Sequence, residues 1–277
     1  MQKWGQKMTA SSLKMNLPGV TSEVLASVAA LLRQAGRIVI LTGAGISAES
    51  GIPTFRDSLT GLWQRFDAED LATPEAFQRD KALVWGWYEW RRMKVMRAQP
   101  NPGHFALAEL ALLIPTSTII TQNVDDLHER AGSQEVIHLH GSLLAPRCFA
   151  CARAYPVADG IPDEPEGGRH LQPPSCPHCG GYIRPGIVWF GERLPEAAWH
   201  QAEAAVHACD LLLVIGTSGL VYPAAHLPEV ARQRGKPVIL IGPNPTEIDH
   251  VARHILRGNA GEVLPKLINL ILNRDLN

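Results

Sequence analysis

The chain has 277 residues, 45% of them hydrophobic, and its 26 Lys and Arg against 27 Asp and Glu leave a net charge of -1. That size allows one large domain with an insertion, or two small ones, each with a buried core. The balanced charge gives no broad attraction to nucleic acid or an anionic membrane surface, and no apolar run approaches the ~20 residues that span a bilayer; the longest, Phe105 to Ile114, is interrupted by Glu109 and closed by Pro115.

Residues 1–19 carry Lys3, Lys7 and Lys14 without an acid and lack an apolar core for secretion, so they read as a flexible tail. Order is expected from Thr21 or Ser22, either of which can cap a helix with Glu23 in its first turn. Val24, Leu25, Val28, Leu31 and Leu32 form its apolar stripe, which ends at Gly36. Short apolar or β-branched runs follow at Ile38 to Leu41, Thr118 to Thr121, Val136 to Leu139, Ile187 to Phe190, Leu211 to Ile215 and Val238 to Ile241. Separated by helical and loop segments, they predict an α/β fold built on a Rossmann-like, doubly wound parallel sheet. Residues 57–103, rich in Trp and Arg, and residues 142–185 break the alternation. They are expected to form a helical insertion and a zinc-binding module in a smaller lobe, leaving 20–56, 104–141 and 186–277 as the main domain.

Cys148 and Cys151, then Cys176 and Cys179, form two Cys-x-x-Cys pairs with 24 residues between them. Two such pairs can surround one tetrahedral Zn²⁺; a pair of disulfides is the alternative. Four thiolates would fill the shell and leave no place for water, so this zinc would be structural. Cys209, before the run Leu211 to Ile215, reads as a core residue. Metal-type cysteines fit a reducing compartment, and a cytoplasmic protein is expected.

The first apolar run leads into Gly43-Ala44-Gly45-Ile46-Ser47-Ala48, where missing Cβ atoms let backbone amides approach a pyrophosphate. Instead of the usual helix and strand ending in a ribose-binding acid, Gly51-Ile52-Pro53 favours a loop over the cofactor. Gly216-Thr217-Ser218 ends another run and can bind phosphate or ribose, although such a sequence is also a common turn.

Gly43 to Ser47 with Gly51-Ile52-Pro53-Thr54-Phe55-Arg56, Thr121-Gln122-Asn123-Val124-Asp125, His138-Leu139-His140-Gly141, the four cysteines, Phe190-Gly191-Glu192 and Gly216-Thr217-Ser218 occur in the order seen in sirtuins. From about residue 20 onward the chain resembles that family. The resemblance implies NAD-dependent removal of acyl groups from protein lysines, releasing nicotinamide, O-acyl-ADP-ribose and free lysine. It implies that Asn123 and Asp125 hold nicotinamide and its ribose, that Ile46 and Gln122 line the pocket, and that Ala44, Phe55 and Arg56 close over it. Asn244 would contact the adenine-side ribose. His140 would be the general base, because an imidazole titrating near neutrality can take a ribose hydroxyl proton; strand alternation puts His138 on the same face. Val188, Phe190, Gly191 and Glu192 with Leu220 and Val221 would sandwich an extended, acylated lysine peptide through main-chain hydrogen bonds.

Tyr88 and Arg91 lie three apart, which on a helix puts a phenol and a guanidinium on one face. The pair resembles the Tyr-x-x-Arg signature of the sirtuin branch that removes succinyl, malonyl and glutaryl groups, and Ala68 would leave room for the longer acyl chain. An amphipathic Trp-rich helix with solvated arginines is the plainer reading of the same residues. Deacetylation is expected alongside. Two other classes remain open: a protein ADP-ribosyltransferase using the same cofactor site, and a zinc-ribbon binding module, against which Asp159, Asp163, Glu164 and Glu166 make a poor basic patch.

Overall fold

The computed structural model describes residues 20–54, 67–157 and 160–272. Phe55 and Arg56 lie outside them. Helix α1 (Ser22–Gln34) starts at Thr21, whose hydroxyl accepts the Val24 amide at 3.3 Å. It leads into β1 (Ile38–Thr42), the centre of a parallel sheet with β2 (Ser117–Thr121), β3 (Val136–His138), β6 (Leu211–Ile215), β7 (Val238–Ile241) and β8 (His254–Leu256). The strand order is β3-β2-β1-β6-β7-β8, and every neighbouring pair is parallel.

The apolar strands are continuous because both faces of the sheet are covered. Ile38, Ile40, Ile119, Leu213, Ile215, Ile239 and Ile241 point to one side, where Val28 and Leu32 of α1, Leu107 and Leu110 of α6 (Pro102–Leu113), and Val263 and Leu267 of α10 (Ala260–Ile271) complete a core. Val39, Leu41, Ile120, Leu212, Val214 and Leu240 alternate to the other side. There they meet Ala202 and Val206 of α8 (Glu196–Ala208), Leu227 and Ala231 of α9 (Leu227–Gln233), and Cys209, which is buried as expected.

One strand expectation fails. The run Ile187 to Phe190 is not in the parallel sheet: β5 covers Ile183–Ile187 and pairs antiparallel with β4 (Gly141–Cys148) in a separate two-stranded sheet. Ile187, the last paired residue of β5, and Trp189 beyond it are apolar because their side chains pack against helices. They share a cluster with Leu71 of α3 (Ala68–Leu71), Phe77 of α4 (Pro74–Arg79), and Val84, Trp87 and Tyr88 of α5 (Lys81–Arg97).

Helix α5 is buried almost all round and touches two clusters. Trp87 and Tyr88 sit in the one just described, while Trp85 packs with Cys148, Cys176 and Ile183. The chain near Arg169 crosses it closely: Leu171 N–H donates to the Ala82 carbonyl at 3.0 Å, and a Cβ at Gly86 would collide with the Arg169 carbonyl oxygen. Gly86→Ala is therefore expected to destabilise the fold. Overpacking costs about 1–3 kcal/mol and occasionally more, against roughly 1 kcal/mol gained from helix propensity, and a lower urea midpoint would show it. Among the described residues no helix is long and apolar enough to cross a membrane.

Candidate functional site

The strand register aligns Thr42 with Thr121 and His138 on one side and with Ile215, Ile241 and Leu256 on the other, so the carboxyl ends of the strands form one crest. The chain builds outward from β1 to β3 and then returns to β6 beside β1. That reversal is the switch point where open α/β sheets bind ligands. Gly43-Ala44-Gly45 and Gly216-Thr217-Ser218 meet there. Gly45 N–H donates to the Gly216 carbonyl at 2.8 Å, and a Cβ on Gly45 would lie 2.7 Å from the Gly216 Cα. Only two bare backbones can approach this closely. The loop after Gly45 is a single helical turn, α2 (Gly45–Ala48), with Ile46 buried beneath it. Gln122 joins the cluster by donating Nε2–H to the Thr217 hydroxyl at 3.0 Å.

A buried polar chain runs behind the crest. Ser47 donates to the Asp125 carboxylate at 2.9 Å and accepts from the Asn123 side-chain amide at 3.1 Å. The second Asp125 oxygen accepts the Leu127 amide at 3.1 Å, so both expected nicotinamide-side residues are held in one orientation. Thr42 donates to Thr121 at 2.9 Å and lies 3.0 Å from His128 Nε2, while the Asn101 amide holds the Ile46 carbonyl at 2.7 Å. Sequence reasoning missed Thr42, His128 and Asn101, and gave Ser47 and Thr121, although they lie in the quoted motifs, no role of their own. Threonines ending otherwise apolar strands were the available signal.

The two histidines have different partners. His140 Nδ1 is 2.9 Å from the Gln122 carbonyl; a carbonyl only accepts, so Nδ1 carries the proton and Nε2 keeps its lone pair. Burial lowers the His140 pKa, against the opposing effect of that hydrogen bond, so the ring is neutral near pH 7. His138 Nε2 lies 2.6 Å from Glu129, and although burial opposes charge there, the carboxylate raises its pKa overall.

On α5, Tyr88 is 2% exposed, and its oxygen accepts the Trp189 indole N–H at 3.1 Å. The Arg91 guanidinium stacks 5.1 Å above the Trp87 ring, within electrostatic reach of Tyr88 and Asp125. Arg92 pairs with Glu89 at 2.7 Å, and neither arginine is exposed. Ala68 is buried in the same apolar cluster as Tyr88.

Val188 N–H donates to the His140 carbonyl at 2.9 Å, which ties the expected peptide segment to the candidate base. Phe190 and Leu220 are exposed, as is Tyr222, and Gly191 takes a positive φ of 85°. Glu192 is engaged within the protein: its carboxylate accepts from Arg184 and from the Trp189 amide, the latter at 2.8 Å. Val221 follows Leu220 and is half-buried, and Asn244 is exposed, with its carbonyl bound by Arg257 at 2.8 Å.

The four cysteines converge. All their sulfurs lie within 4.8 Å of one another, with Cys148–Cys179 at 3.5 Å and Cys151–Cys176 at 3.8 Å. A tetrahedral Zn²⁺ with Zn–S near 2.3 Å requires sulfurs about 3.8 Å apart, so the cage fits that ion. The Cys151 amide also donates to the Cys148 sulfur at 3.4 Å, which steadies a thiolate.

A glycine-lined cleft at the switch point, together with a four-cysteine cage elsewhere in the chain, defines a dinucleotide-binding protein with a structural metal lobe. Residues 43–223 match the Sir2 family. The chain is 60% identical over 244 residues to NAD-dependent protein deacylase 1 of Pseudomonas aeruginosa, covering 87% of this chain and 97% of that one. It is 57% identical over 251 residues to the NAD-dependent protein deacylase of Methylococcus capsulatus, covering 91% and 97%. Among solved structures, a Sir2 homologue in complex with NAD superposes with a TM-score of 0.83 at 46% identity, covering 91% and 94%. Another Sir2 structure, bound to a myristoylated histone peptide, superposes with a TM-score of 0.73 at 32% identity, covering 92% and 98%. The chain belongs to the Sir2 family.

Proposed function

We propose that this chain, an NAD-dependent protein deacylase, prefers lysines carrying succinyl, malonyl or glutaryl groups while retaining deacetylase activity. The observation that carries the preference is the buried Tyr88 one helical turn from the Arg91 guanidinium on α5, which is within electrostatic reach of Asp125 of the nicotinamide-side cluster. A guanidinium and a phenol together recognise a distal carboxylate and offer an acetyl group nothing to bind.

The residues divide the remaining work. Gly43 and Gly45 would hold the dinucleotide phosphates at the switch point and Gly216, Thr217 and Ser218 phosphate or ribose, with Ala44, Phe55 and Arg56 closing over the nicotinamide pocket and Asn244 at the adenine-side ribose. When bound, NAD supplies a ribose carbon that the acyl oxygen can attack as nicotinamide leaves. Ile46, Gln122, Asn123 and Asp125 would orient and bury the nicotinamide end, and burial there excludes water. His140 Nε2, unprotonated, accepts the ribose hydroxyl proton. Val188, Phe190, Gly191, Leu220 and Val221 would pair with the peptide backbone, and Glu192 would fix their turn. In this reading 20–56, 104–141 and 186–277 form the NAD-binding domain, with 57–103 and 142–185 as the small lobe.

Arg91→Met tests the acyl preference. A charged hydrogen bond is worth about 1.5–3 kcal/mol, so kcat/KM for a succinyl-lysine peptide should fall roughly 10- to 100-fold while the acetyl form of that peptide changes little. Equal losses on the two substrates would remove the assignment. Nicotinamide release that needs no acylated peptide would point instead to ADP-ribosyl transfer.

A further inference from the structure

We propose that Trp189 is a specificity-positioning residue, whose indole N–H forces the Tyr88 hydroxyl to act as a donor toward the acyl carboxylate. The proposal rests on the acidic-acyl reading above. An indole N–H can only donate, and it lies 3.1 Å from the Tyr88 oxygen. The phenol oxygen therefore accepts at that point, and its own hydrogen must turn to another acceptor. The described residues supply none, so the hydrogen is left for a ligand. A carboxylate held by Arg91 suits it, whereas a phenol free to turn its lone pairs outward would repel the same group.

Trp189 cannot swing away from this task. The Arg184 guanidinium sits 3.5 Å from its ring centre, Phe77 packs at 5.4 Å, and its backbone N–H is bound by Glu192, the ion-pair partner of Arg184. Trp189 also stands between Val188 and Phe190, so one rigid side chain spans the peptide segment and the acyl pair. Burial pushes the Tyr88 pKa above the ordinary phenol value, which keeps the O–H in place as a donor.

The test is a double-mutant cycle of Trp189→Phe and Tyr88→Phe in the full-length, NAD-saturated enzyme, with succinyl- and acetyl-lysine forms of one peptide. Trp189→Phe should raise KM for the succinyl peptide about 3- to 10-fold, leaving kcat and the acetyl KM within roughly twofold. On the Tyr88→Phe background it should add nothing to the succinyl-to-acetyl KM ratio. A parallel rise in the acetyl KM, or an undiminished effect without the phenol, would overturn the positioning role. If Tyr88→Phe changes the ratio but Trp189→Phe does not, this inference fails and the acidic-acyl reading stands; if Tyr88→Phe leaves the ratio untouched, both fall. Should Trp189→Phe fold poorly, benzothienylalanine at position 189 removes the N–H while keeping the shape, and the same outcomes decide.

Discussion

His140→Ala should lower the deacylation rate about 10³-fold while leaving NAD binding within a few-fold of the wild type. General base catalysis contributes about 10²–10⁴, and the bond from the His140 ring ends on the Gln122 main-chain carbonyl, leaving the Gln122 side chain on Thr217 in place when the ring is removed. Single-turnover assays alongside calorimetric titration with NAD separate the two quantities, and retained turnover would disqualify this imidazole as the base. The pH profile gives a second check. Only the neutral ring can accept a proton, and burial lowers its pKa. The acid limb of kcat/KM should consequently fall below the usual imidazole value of about 6.5 and disappear in the Ala variant.

Cys148→Ser should remove the metal and dismantle the small lobe. Structural zinc sites contribute about 10–16 kcal/mol of binding free energy to folding, and this module has little core besides Trp85, Cys148, Cys176 and Ile183. Because Trp85 lies on α5 three residues before Tyr88, the loss should spread to the acyl pair and abolish activity. Metal content by atomic absorption and near-UV circular dichroism would report it. Full zinc occupancy with unaltered turnover would refute the tetrathiolate site.

The sequence made the central sheet legible because its strands are buried on both faces and so read as unbroken apolar runs. It concealed β4, whose Gly141–Cys148 stretch contains Pro146 and no alternation, and β8, whose three residues follow Arg253 and precede Arg257. Ile187 to Phe190 misled for the opposite reason: apart from Ile187, the end of β5, it is an apolar segment packed on helices, and periodicity cannot distinguish that from a strand of the parallel sheet. The cysteine cage was readable from spacing alone. The Ser47 bridge was not, since it joins residues 76 and 78 positions apart, and no local pattern marks a serine that meets an aspartate across two loops.

β1 lies between β2 and β6, and the first residue of β6 comes 173 positions after that of β1, Ile38 opposite Leu211. During synthesis the middle of the molecule must wait, with a bare hydrogen-bonding edge, until most of the polypeptide has left the ribosome. Such long-range pairing slows folding and exposes a template for aggregation. A chain interrupted before Leu211 would lack the partner that closes the nucleotide cleft, so the protein has no smaller NAD-binding fragment to fall back on.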